Sequence, residues 1–206
     1  GYTKNYVCID YGLDMFSAHW NRINDEGEAQ VYREFDEPNL TIGQAAEALN
    51  DLCTEPVELF LAPPDLWNRS QLNGKSRAQQ WLEAGVILTK SSRDFPAGVV
   101  AMKDWLRPRE GRKSRLTILD GEAPNLYNCL KKIQKDDKQP NVYSKKPHDL
   151  THDPDSLRYF CVWWTSNASV PKKSKKKWRA DLLEDYDNGD AETRALMVKL
   201  YGEPVR

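Results

Sequence analysis

The chain of 206 residues has no run of about eighteen apolar residues, so no membrane-spanning helix is expected. It also lacks the charged start and apolar core of a signal peptide. Gly1-Tyr2-Thr3-Lys4 leads straight into a strand pattern, which reads as the trimmed start of a longer chain. Cysteine is scarce: Cys8, Cys53, Cys129 and Cys161 stand far apart with no CxxC pair. That argues against zinc and disulfide scaffolds and favours reduced thiols in a cytosolic setting. Excess charge is missing too. The formal net charge is −1, which sets aside histone-like or ribosomal binding driven by bulk charge. No internal repeat is visible. Asn73-Gly74-Lys75-Ser76 ends like a phosphate-binding P-loop, but GxxxxGK[ST] needs glycine where Arg69 stands, and no strand leads into it. ATP binding is excluded, and Lys75 and Arg77 are left either beside a nucleic-acid backbone or at the start of a helix.

Hydrophobic residues make up 39% and charged residues 30%, enough apolar material for one packed domain. Residues 6–12 alternate, with Tyr6, Cys8 and Asp10 on one face and Val7, Ile9 and Tyr11 on the other. Residues 15–23 and 29–36 follow as further strands across a turn at Asn24-Asp25-Glu26-Gly27, giving a three-strand meander. Thr41 and Gln44 form a capping box for a helix from Ile42 to Cys53. Strands at 57–62, 86–89 and 116–119 then alternate with helices at 76–84, 97–106 and 123–131. Residues 131–147 are a lysine-rich loop or β-hairpin. A final strong helix runs from Pro154 to Thr165, with Asp153 as its N-cap and Trp163 and Trp164 in the core. Residues 168–206 are a basic, charge-mixed tail with a short helix near 191–201. A meander followed by alternating helices and strands is the order of the ribonuclease H-like fold: an α/β mixed sheet of five or more strands, ordered 3-2-1-4-5 and flanked by helices.

That order gives three acids special places. Asp10 ends the first apolar strand, Asp65 follows the fourth strand after Pro63-Pro64, and Asp155 lies in the first turn of the last helix. If the first and fourth strands are neighbours, Asp10 and Asp65 meet at one sheet edge and the helix brings Asp155 over them. Carboxylates suit hard ions such as Mg²⁺ or Mn²⁺, and two such ions about 3.5–4 Å apart can clamp the attacking and leaving oxygens of a phosphodiester. Taken singly, each acid has an ordinary reading: a turn former, a loop residue, or compensation of a helix dipole. Asp14, Asp149 and Asp153 compete for the same role. His152 could position water, touch phosphate or ligate a metal. Basic groups cluster at 107–115, 131–146 and 172–177, where a polyanion track and a solvated surface are both open readings. Lys131, Lys132, Lys145 and Lys146 are the DNA-contact candidates.

Three segments resemble the C-terminal nuclease domain of the large terminase subunit of tailed bacteriophages. They are Tyr6-Val7-Cys8-Ile9-Asp10-Tyr11-Gly12, Leu59-Phe60-Leu61-Ala62-Pro63-Pro64-Asp65 and His152-Asp153-Pro154-Asp155-Ser156-Leu157-Arg158-Tyr159. The last is similar to the family pattern DHxxDALRY and is the most specific; the resemblance spans about residues 5–166. It implies a metal-dependent endodeoxyribonuclease that cuts concatemeric viral DNA during packaging with two Mg²⁺ or Mn²⁺ ions. Asp10 would bridge both ions, Asp65 and Asp155 would hold one each, and His152 would be a further catalytic residue. It implies double-stranded DNA as substrate; an ATPase domain, a small terminase subunit and a portal as partners; and the host cytoplasm at the procapsid as location. Where the family often has an acid before the histidine, this chain has Thr151. The chain reads as the nuclease domain alone. A Holliday-junction resolvase or ribonuclease H shares the acids, and a non-catalytic nucleic-acid-binding module shares the fold.

Overall fold

The computed structural model describes residues 1–12, 14–71, 74–139, 141–169, 180–191, 193–194 and 197–198. The meander is present: β1 (Tyr2–Tyr11), β2 (Phe16–Asn24) and β3 (Ala29–Glu37) pair antiparallel in chain order. The chain then continues as α1 (Ile42–Leu52), β4 (Leu59–Ala62), α2 (Arg77–Glu83), β5 (Leu88–Lys90), α3 (Phe95–Leu106), β6 (Leu116–Ile118), α4 (Pro124–Lys132) and α5 (His152–Ser169). The six strands form one sheet ordered β5-β4-β1-β2-β3-β6. Strands one to five follow the expected 3-2-1-4-5 order, and β6 extends the sheet by pairing parallel to β3. β4 pairs parallel to β1, so both strands reach their C-terminal ends on the same rim.

Side-chain alternation assigns the two faces. Val7, Ile9, Tyr11, Phe16, Ala18 and Trp20 pack under α1 and α2 with Leu49 and Trp81. Tyr6, Cys8 and Leu61 pack on the other face with Val99, Trp105, Leu157 and Phe160 of α3 and α5. Each large side chain so buried contributes about 1.5–3 kcal/mol, which holds α5 flat against the sheet. Trp163 and Trp164 join this core through the ring of Tyr6. The Thr41–Gln44 capping box starts α1. Ser76 caps α2 and Lys75 pairs with Glu83, so this stretch starts a helix.

One local expectation is corrected, the start of the last helix, and two further regions take a more definite form. Residues 131–147, expected as a loop or a β-hairpin, make one antiparallel bridge among the described residues, Lys135–Tyr143, and Asp136 accepts the backbone N–H groups of Lys138 and Gln139. α5 begins at His152 rather than Pro154, so Asp153 lies inside the first turn and its carboxylate turns to the sheet instead of capping. Residues 168–206 form a separate compact unit, in which α6 (Ala180–Asn188) lies before the short helix expected near 191–201. That expected helix falls partly, and the lysine run 172–177 wholly, outside the described residues. No helix among the described residues is long and apolar enough to cross a membrane.

Candidate metal centre

Asp10 stands two residues past the last β1–β4 rung, Cys8–Leu61, and opposite Ser17 of β2. The β1–β2 connection turns tightly there, with the Gly12 amide donating to the Met15 carbonyl at 2.9 Å. A Cβ at Gly12 would sit 2.6 Å from Asp14 Oδ1 and 3.7 Å from His152 Cε1. Glycine is thus what lets Asp14 and His152 close over the end of β1.

The first turn of α5 supplies the other half. His152 Nδ1 lies 3.0 Å from Asp10 Oδ2, and its Nε2 lies 3.3 Å from Asp14 Oδ2. His148 Nε2 approaches the same Asp14 oxygen at 3.3 Å. The hydrogen bond that His152 donates to Asp10 holds the imidazole protonated above its ordinary pKa, against the effect of burial. Burial pushes the Asp10 carboxyl up. The bond from His152 opposes that, and the negative charge of Asp155 adds to it.

Asp155 is fixed by two neighbours. Arg158 Nε donates to its Oδ1 at 2.9 Å, and the Tyr143 hydroxyl donates to the same atom. Its Oδ2 accepts no hydrogen bond among the described residues. Arg158 is itself buried, with its guanidinium over the rings of Phe95 and Tyr159. The charge of Asp155 keeps Arg158 firmly protonated despite burial. Burial, and then that same negative charge, push the Tyr143 hydroxyl far above the usual phenol range, so it remains a donor.

Asp65 occupies the 3₁₀ turn Pro64–Trp67 directly after β4. It lies on the rim where β1 ends, but its half-exposed carboxylate pairs with Arg77 of α2 at 3.6 Å. The structure thus sets His152 against Asp10 and Asp14, with His148 on the same Asp14 oxygen, and the ligand atoms close enough here to share one ion are those of Asp14, His148 and His152; Asp155 is held by Tyr143 and Arg158, and Asp65 pairs with Arg77. Lys145 and Lys146 are exposed two and three residues beyond Tyr143, with Lys145 Nζ 4.6 Å from the Phe95 ring centre. Lys131 and Lys132 are exposed at the end of α4. Sequence reasoning missed Arg158 and Tyr143. Arg158 carried a signal, because it lies three residues after Asp155 on the same helix face. Tyr143 carried none.

The chemistry of the donors, carboxylates beside an imidazole with one Asp155 oxygen free of hydrogen bonds among the described residues, suits a divalent ion. No family model matches the chain, and no curated protein matches its sequence. Its fold is ribonuclease H-like. Within that class, it resembles phage large terminase nuclease domains. The nuclease domain of the large terminase g2p from bacteriophage SPP1, a structure with bound Mn, superposes with a TM-score of 0.53 at 16% identity, over 80% of this chain and 88% of that one. The P22 large terminase nuclease domain superposes with a TM-score of 0.59 at 14% identity, over 80% and 81%. At these identities the likeness establishes the fold alone.

Proposed function

We propose that the chain is a divalent-metal-dependent DNA endonuclease domain of the kind found in phage large terminases, acting in host cytoplasm on concatemeric DNA at the procapsid. The contacts of His152 with Asp10 and Asp14 on the rim where β1 ends, in a fold of this kind, carry this reading. Asp10, Asp65 and Asp155 are the residues that would hold Mg²⁺ or Mn²⁺, with His152 beside them. Such ions, when bound, supply Lewis-acid stabilisation of the phosphate and lower the pKa of water. Arg158 and Tyr143 hold Asp155 in one orientation by binding a single oxygen. His152, between two carboxylates, can take up or release a proton at Nε2. Lys145 and Lys146 suit phosphate contacts that carry no sequence information, with Lys131 and Lys132 further along the same loop and helix. An ATPase domain, a small terminase subunit and a portal are the partners such a nuclease would have.

The test is plasmid digestion titrated with Mn²⁺ and Mg²⁺, with EDTA as control. Asp10→Asn should abolish cutting while circular dichroism shows an unchanged fold. Full activity in that variant with metal present would defeat the proposal. Linear duplex, four-way junction and RNA–DNA hybrid run side by side should show preference for duplex DNA. Preference for either of the others would replace terminase-type cutting by resolvase or ribonuclease H activity.

A further inference from the structure

β2 buries the wrong residues for an ordinary strand. On the face under α5 it carries Ser17, His19 and Asn21, all fully buried. β3 places Asp36 opposite Ser17 and Glu34 opposite His19. Asp153, 5% exposed, descends from α5 onto the same spot. One ligand atom from each of His19, Glu34, Asp36 and Asp153 lies within 4.8 Å of all the others. This group shares no member with the Asp14–His148–His152 group, and none of its members is a ligand in the function proposed above.

The tautomer of His19 follows from its neighbours. Ser156 Oγ donates its proton to the Cys8 carbonyl at 2.9 Å. The same oxygen lies 2.9 Å from His19 Nδ1, so Nδ1 carries a proton and donates it. In the neutral ring Nε2 is therefore a bare lone pair. It points at Asp153 Oδ1, 3.3 Å away, and Glu34 Oε2, 3.8 Å away, without hydrogen-bond geometry to either. Asp36 Oδ1 and Asp153 Oδ1 are buried and without a hydrogen-bond partner as well. The remaining carboxylate oxygens are satisfied from outside the group. Glu34 accepts the backbone N–H groups of Asn125 and Leu126 at the start of α4, Asp36 Oδ2 accepts the Asn125 amide, and Asp153 Oδ2 accepts the Cys129 thiol. An imidazole fixed by a bond at its far nitrogen, with hydrogen-bonded carboxylates beside it, is how proteins orient metal ligands. Four such donors around one ion with bonds of about 2.1 Å would lie about 3.4 Å apart, a contraction of at most about 1.4 Å from separations within 4.8 Å.

We propose that His19, Glu34, Asp36 and Asp153 form a closed structural site for one divalent ion of the zinc type, separate from the candidate metal centre. One nitrogen and three oxygens suit Zn²⁺ better than Mg²⁺, which demands octahedral oxygen and keeps its waters. The ion ties β2, β3 and the first turn of α5 together, and so fixes the turn that carries His152 and Asp155.

The test uses the full chain carrying Asp10→Asn and His152→Gln, which removes ligands from the other centre and from the Asp14–His148–His152 group. Expressed in medium with Zn²⁺ and desalted, this variant should retain one ion per chain by elemental analysis. Adding His19→Gln should weaken retention at least tenfold. No retained ion, or equal retention after His19→Gln, overturns the proposal. Should the triple variant fail to fold, the spectrum of the double variant grown with Co²⁺ decides. Intense visible bands of a four-coordinate ion support the site, and the weak bands of a six-coordinate ion, or none, overturn it.

Discussion

Gly98 of α3 tests how tightly Asp155 is held. A Cβ built at Gly98 would lie 2.8 Å from Arg158 Cγ, 3.0 Å from its Cδ and 3.1 Å from its Nη1. Ordinary carbon contacts are about 3.5–4.0 Å, so Gly98→Ala pushes the Arg158 stem by roughly an ångström. The stem cannot swing away freely, because the guanidinium lies over Phe95 and Tyr159 and Nε holds Asp155 at 2.9 Å. Two effects oppose each other. Alanine within a helix gains about 1 kcal/mol over glycine. Overpacking costs typically 1–3 kcal/mol. The expected net change in urea denaturation is a loss of about 0–2 kcal/mol. The expected change in function is larger. Disturbing a residue that orients a metal ligand typically costs about 10–100-fold, so plasmid nicking with Mn²⁺ should fall by about tenfold or more. A variant about 1 kcal/mol more stable than the parent, nicking at the parental rate, would show that Arg158 yields without moving Asp155, and would refute the positioning argument.

Tyr143→Phe removes the second donor on Asp155; nicking should fall several-fold, with a stability change of about 1 kcal/mol, and an unchanged rate would remove Tyr143 from the machinery. Asp65→Asn should abolish cutting yet alter stability by less than about 0.5 kcal/mol, since its exposed pair with Arg77 contributes little; retained cutting would exclude Asp65 from the metal set. Stability in EDTA should fall as pH rises from about 6.5 to 9. Burial disfavours charged His19, but Asp153 and Glu34, with the charge of Asp36 behind them, raise its pKa to about 9. A raised histidine pKa stabilises fully below the unfolded value and loses that contribution as pH rises through the folded value. Burial raises Asp36 to about 6, so the cost of its ionisation falls below that interval, while Asp153, which His19 holds low against burial, loses its contribution only in acid. Chemical denaturation should show a drop on the order of 2–3 kcal/mol across that interval, and stability flat or rising there would refute the assignment.

The order of elements was legible in the sequence because it rests on local signals. Period-two alternation marked β1 to β3, and the Thr41–Gln44 box marked the start of α1. The neighbouring of β1 and β4 followed from that order, and with it the shared rim on which Asp10 and Asp65 end their strands. Boundaries set by long-range contacts were not legible. The 131–147 segment has hairpin-like composition, but among its described residues only the Lys135–Tyr143 bridge is made, and Tyr143 instead packs on Phe95 and binds Asp155.

By itself the sequence determined which residues alternate, where helices start, and which acids end strands, because neighbours in the chain decide backbone conformation within a few residues. It could not determine what covers a polar face. Ser17, His19 and Asn21 alternate as solvent-facing residues would, and only the packing of α5 across β2 buries them and gathers Glu34, Asp36 and Asp153 around one imidazole. That gathering depends on strands and a helix more than a hundred residues apart in sequence, a juxtaposition that burial of the sheet's apolar neighbours decides.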